Sequence, residues 1–134
     1  MSIGSWDPTA GAAQADVELT PALLSRLADF SRNEQLDSLD TALDDNEKQT
    51  LAALMQEDHD NWRTASESLD SAEILHLVRF FAMAENLPGW EAGDKSPVIP
   101  LARTLRQRGE RLERDMLLWL REVNDNRFLP YGPL

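Results

Sequence analysis

Between Asp70 and Pro88 lies a segment that, wound as a helix, is apolar around nearly its whole circumference. Ile74, Leu75, Leu77, Val78, Phe80, Phe81, Ala82 and Ala84 leave only a narrow polar strip of His76, Arg79 and Asn86, with Met83 among them. Such a helix has no broad face to offer water, so other elements must wrap it. Its limits are written locally. Asp70 with Glu73 three residues on marks a start, and Pro88-Gly89 marks an end, because the residue before a proline is driven out of the helical region. The segment near 70–86 is therefore expected at the centre of a bundle, with the rest of the chain as its walls.

The remaining residues suit that role. Leu occurs 21 times and Ala 15, against 4 Val and 3 Ile, which favours residues that lose little rotamer freedom in a helix over β-branched strand formers. No window alternates with a period of two, so the expected fold is all-α, a compact single-domain bundle of five to six helices. A length of 134 residues fits one domain. Thr20-Pro21 opens a helix near 21–31 with Leu23, Leu27 and Phe30 on one face. Leu36, Leu39 and Leu43 predict a short second helix beside Asp37, Asp40 and Asp44. Asp44 with Glu47 forms a capping-box pattern for a third, whose stripe of Leu51, Leu54, Met55 and Trp62 predicts one helix to about Arg63. Ser96-Pro97 introduces a fifth, with Val98, Leu101, Ala102 and Leu105 in register and Gly109 as its stop. Leu112, Met116, Trp119, Leu120 and Val123 line a sixth. Residues 1–19, rich in Gly, Ala and Pro, are expected to be a mobile arm, and 20–134 a single helical domain that includes an ordered aromatic tail.

Lys and Arg total 13 and Asp and Glu 24, a net charge of −11, which argues against a protein that coats nucleic acid or an anionic membrane. The excess is local: residues 1–33 carry a net −2, 34–73 a net −10 and 74–134 a net +1. The acidic stretch reads either as a solvated face or as a docking surface for a basic partner. Cysteine is absent, which removes disulfides, thiolate nucleophiles and zinc–thiolate sites together. No apolar run approaches the length of a membrane helix, and the first residues lack a signal-peptide pattern, so a cytoplasmic setting is expected.

Motifs for chemistry are sparse. Arg103, Arg106, Arg108, Arg111 and Arg114 set five guanidinium groups within twelve residues, enough to hold an anion if they converge, although intervening Glu110 and Glu113 and the acidic middle are ready counter-charges. Glu73-x-x-His76 has the spacing with which di-iron bundles aim a carboxylate and an imidazole at one metal, but the second copy and the further carboxylates are missing. Neither metal nor cofactor is expected. No nucleophile elbow, phosphate loop or dinucleotide fingerprint occurs, so catalysis has no motif to rest on. Arg79 stands apart, because a charge on an almost wholly apolar helix must be paired or lie beside a wet cavity.

Two segments exceed what a connector needs. Leu87 to Pro97 sets Trp90 between glycines in a long loop, either as a plug on the core or as a contact for a ligand. Asn126 to Leu134 is aromatic and broken by prolines, so it should lie in a groove of its own chain or of another. Across Phe80-Phe81, Leu87 to Pro97 and Asp125 to Gly132 the chain resembles small uncharacterised bacterial helical proteins. That resemblance covers about the last 60 residues, implies a bacterial cytoplasmic setting and transfers no functional residue.

The best reading is a non-catalytic adaptor or regulatory protein whose partner is another protein, a basic one if the acidic stretch docks it, or a second copy of this chain. Nucleic acid and membrane are not expected partners. The rival is a small-molecule binding protein or enzyme for an anionic ligand, with a pocket near Arg79 and Trp90. Candidate binding residues are His76, Arg79, Trp90, Lys95 and Arg103, with Phe128 and Tyr131 from the tail.

Overall fold

The computed structural model describes residues 18–110, 112–124, 126 and 129. Among them every regular element is helical. The order is α1 (Pro21–Arg32), α2 (Leu39–Ala42), α3 (Asp45–Leu51), α4 (His59–Ser66), α5 (Ser71–Ala84), α6 (Val98–Gln107) and α7 (Arg114–Val123), with single 3-10 segments at Leu36–Ser38, Ala52–Gln56 and Gly93–Lys95. No described helix is long and apolar enough to cross a membrane.

The expected central helix is α5, and it packs against α1, α6, α7 and the 3-10 turn that precedes α2. Asp70 caps it by accepting from the Glu73 N–H at 2.8 Å. Ile74, Leu77, Val78, Phe80, Phe81, Ala82 and Ala84 are all fully buried. Their rings organise the core: Phe80 contacts Phe30 of α1 (centroids 5.7 Å), Phe81 (5.0 Å) and Trp90 (6.4 Å), and Phe81 meets Trp62 of α4 edge-on at 5.1 Å. Edge-to-face pairs at such separations add to the burial of apolar area. One apolar residue departs from the expected enclosure, since Leu75 is 36% exposed.

Among the described residues seven α-helices replace the five to six expected, and the difference lies in the acidic stretch. The predicted helix from Asp44 to about Arg63 is two helices. Its capping box forms, with Asp44 Oδ1 accepting from the Glu47 N–H at 2.7 Å and Glu47 Oε1 accepting from the Asp44 N–H at 3.2 Å. The chain then tightens into the 3-10 segment and turns extended at Glu57 and Asp58 before α4 begins. The break lets Trp62 reach Phe81 with no exposed surface while Leu51, Leu54 and Met55 stay buried. No proline or glycine marks it, so tertiary packing overrode a continuous local pattern. The short second helix is likewise part 3-10 and part α, yet Leu36, Leu39 and Leu43 are buried and Asp37, Asp40 and Asp44 exposed, as expected from their spacing.

Elsewhere local chemistry sets the ends. Thr20 Oγ1 accepts from the Leu23 N–H at 3.1 Å, with Pro21 in the first turn. Ser96 Oγ accepts from the Val98 N–H at 3.2 Å, and Pro100 falls early enough in α6 that its missing N–H breaks no helical bond. Gly109 ends α6 at φ +79°, a left-handed conformation that a side chain would strain.

The fold predicts that Phe81→Ala should cost about 3–5 kcal/mol, because a fully enclosed ring loses both its transfer energy and its partners. Urea unfolding checks this, and a loss below about 1 kcal/mol, no more than an ordinary point substitution costs, would show that α5 is not the organising element.

Candidate functional site

Two polar sites lie along α5 and its C-terminal end. At the middle of α5, Ser31 of α1 meets His76 and Arg79. Ser31 Oγ lies 2.8 Å from His76 Nδ1, and Arg79 Nε donates to the same oxygen at 3.1 Å. Arginine has no acceptor, so Ser31 Oγ accepts from Arg79 Nε, and the imidazole tautomer sets which way the Ser31–His76 bond runs. Burial lowers the His76 pKa from its ordinary 6.5, with the nearby Arg32 and Arg79 adding to the effect. A serine hydroxyl within hydrogen-bond reach of an imidazole is the first half of a nucleophile–base pair. Here Ser31 is 5% exposed, and its oxygen links His76 to Arg79.

Arg79 is further held by Trp119 of α7, whose ring centroid lies 4.9 Å from the guanidinium carbon. No described carboxylate lies within salt-bridge distance of Arg79. It faces a cleft of about 700 Å³ between α5 and α7, lined also by Leu75, Leu105, Leu112, Met116 and Trp119 and edged by Glu110, Glu113 and Asp115. The two helices run side by side in the same sense. Their C-terminal ends are pinned, Asn86 Nδ2 donating to Val123 O at 2.8 Å and Asn124 Nδ2 to Ala82 O at 2.9 Å. The cleft lies on the N-terminal side of these pins, lined by Ser71, Ala72, Leu75 and Arg79 of α5 and by Met116 and Trp119 of α7.

The second site is a buried polar knot at the end of α5. Glu85 is 6% exposed. Ser96 Oγ donates to its Oε2, and Asn126 Nδ2 donates both to its Oε1 at 3.0 Å and to Gly93 O at 2.9 Å. Asn124 Oδ1 in turn accepts from the Asn126 N–H at 2.7 Å. This knot joins α5, the loop before α6 and the chain leaving α7. Burial pushes the Glu85 carboxyl above its ordinary 4.5, and the bonds from Ser96, Asn126 and Asn124 oppose that shift.

The candidate residues named from sequence are not gathered in one place. His76 and Arg79 meet through Ser31, and of the five described candidates only Arg79 lines the α5–α7 cleft. Trp90 is 1% exposed, a core plug whose Nε1 donates to Lys48 O at 3.0 Å. Lys95 lies 3.5 Å from Asp58, and Arg103 is exposed on α6. Phe128 and Tyr131 lie outside the described residues. Of the tail, Leu129 is buried on the core of its own chain, as Asn126 is bonded to it. Glu73 departs from the capping role expected of its side chain: its N–H is capped, but its carboxylate pairs with Arg32 of α1 at 2.6 Å. Among the described residues no three His, Asp or Glu side chains are grouped to hold a metal. Of the arginine run, Arg108 donates to Ser66 O at 3.0 Å and to Ser71 Oγ at 3.2 Å, bracing α6 against α4 and α5.

Sequence reasoning passed over Ser31, Glu85, Asn124 and Asn126. Glu85 was visible in principle, four residues after Phe81 and seven after Val78 on the buried face of α5. Compared with known protein families, curated proteins and solved structures, the chain matches none.

The raised Glu85 pKa carries a sign. The folded state binds the proton more tightly than the unfolded chain, so this contribution to stability is complete below pH 4.5 and is lost as pH rises through the folded value. Glu85→Gln keeps the shape and removes the ionisation, so its stability relative to the parent should increase from pH 4.5 toward neutrality. Denaturation at several pH values checks this, and a constant difference would contradict it.

Proposed function

We propose that the protein is a non-catalytic interaction protein of the bacterial cytoplasm and that the α5–α7 cleft receives a segment of another protein. The bacterial cytoplasmic setting rests on the resemblance of about the last 60 residues. The docking reading rests on one observation: α7 leaves much of its apolar face uncovered beside a cleft. Of its ten residues only Leu120 is buried, and Met116, Leu117, Trp119 and Val123 are half-buried, packed on the core with part of each side chain open. Met116 and Trp119 of this face, with Leu75 across the cleft and Leu105 and Leu112 beside it, form a walled apolar surface, the kind of groove into which an amphipathic helix lays its apolar face.

Charge selects the occupant. The described lining carries one cation, Arg79, and three anions, Glu110, Glu113 and Asp115. The described rim is net negative, which disfavours a small anion and favours an apolar segment flanked by Lys or Arg, whose approach the overall charge of −11 would speed. The rival reading, an anionic small molecule, draws support from the absence of a described carboxylate partner for Arg79, but the same cleft's rim opposes it.

The test uses two helical peptides of equal length, one built of Leu and Lys and one of Leu and Glu, titrated into isotope-labelled protein. The Leu/Lys peptide should bind more tightly by at least about tenfold, equivalent to about 1.4 kcal/mol, and shift the resonances of Leu75, Met116 and Trp119. Met116→Asp should abolish those shifts. Equal binding of both peptides, or shifts confined to the acidic stretch at 34–73, would overturn the reading.

A further inference from the structure

Arg79 occupies an unusual position for a side chain that merely lines a groove. Its Nε is committed to Ser31, and its guanidinium carbon sits over the Trp119 ring. Both contacts restrict the plane of the fork, and neither uses the two outer nitrogens, which have no hydrogen-bond partner among the described residues. A guanidinium fixed in this way has already lost the rotamer freedom that binding would otherwise remove, and its outer nitrogens match the two oxygens of a carboxylate. Its supports are themselves held. Ser31 is 5% exposed, and its Oγ is hydrogen-bonded to His76 Nδ1 while one of its lone pairs accepts from Arg79 Nε.

We propose that Arg79 is the specificity residue of the cleft, taking one carboxylate of the docking segment on its outer nitrogens, with Ser31 and His76 as positioning residues. This rests on the docking reading above and deepens it. The favoured segment is amphipathic and mixed in charge: basic side chains toward Glu110, Glu113 and Asp115, apolar ones toward Leu75, Leu112 and Met116, and one Asp or Glu at the level of Trp119. The rim would repel a free carboxylate, so the anion has to arrive on a segment whose own cations offset that repulsion.

The experiment compares the Leu/Lys peptide carrying a single Glu at its polar boundary with the same peptide carrying Gln there. The native protein should bind the Glu peptide about tenfold more tightly, as expected when one charge-assisted, bidentate pair is gained. Arg79→Gln should erase that ratio, and Arg79→Lys should retain part of it, since an ammonium keeps the charge without the fork. Ser31→Ala should reduce the ratio with the helical circular dichroism unchanged, a readout that general destabilisation does not mimic. Equal affinity for the two peptides overturns the role of Arg79 while leaving docking intact. Binding of neither peptide overturns docking and this proposal together. A full ratio in Ser31→Ala removes the positioning role, and free succinate binding as tightly as the Glu peptide would assign Arg79 to a small anion instead.

Discussion

Everything in this molecule depends on burying one helix that has almost no polar surface. Once α5 forms, Phe80 and Phe81 need partners, and Phe80 finds Phe30 and Trp90 while Phe81 finds Trp62. Those contacts bring α1, the loop before α6, and α4 to the same axis. The price of enclosing α5 is that each polar group it carries must be satisfied inside or near the core.

That requirement explains where the polar constellations fall. His76 and Arg79 are satisfied together through Ser31, the one hydroxyl that α1 presents toward them. Glu85 is satisfied by drawing in Ser96 and Asn126, so a buried carboxylate ties the start of α6 and the exit of α7 to the end of α5. Such a knot is costly to leave half made, and it recruits distant parts of the chain to complete it. Arg79 is the exception in kind. A hydroxyl and an aromatic face hold it, with no described carboxylate partner, and it stands at the wall of an open cleft.

Much of the architecture was legible in the residues. The all-helical class follows from the Leu and Ala balance, and α1, α5 and the stop at Gly109 follow from Thr20-Pro21, Asp70 and a glycine able to adopt positive φ. The break after Leu51 was illegible, because Leu54, Met55 and Trp62 keep helical spacing and only the need to insert Trp62 beside Phe81 separates them. The site was half legible. Arg79 stood out as a charge on an apolar helix and His76 as its neighbour, but Ser31 lies 48 residues from Arg79, and nothing local links them. Trp119 was recognised only as part of an apolar stripe, since a stripe does not reveal which of its members will be covered.

The arrangement implies an uneven distribution of stability. α5 is enclosed on all sides but the one at Leu75, whereas α7 buries one residue fully and is pinned to α5 mainly at its C-terminal end. A helix seated in this way can adjust to an occupant without disturbing the core. Native-state hydrogen exchange tests this division directly. The account predicts that amides in the middle of α5, from Leu77 to Phe81, exchange only through global unfolding, while those of the first turns of α7 exchange through a local opening of much lower free energy. Equal protection of the two helices, or sub-global exchange in α5, would contradict it.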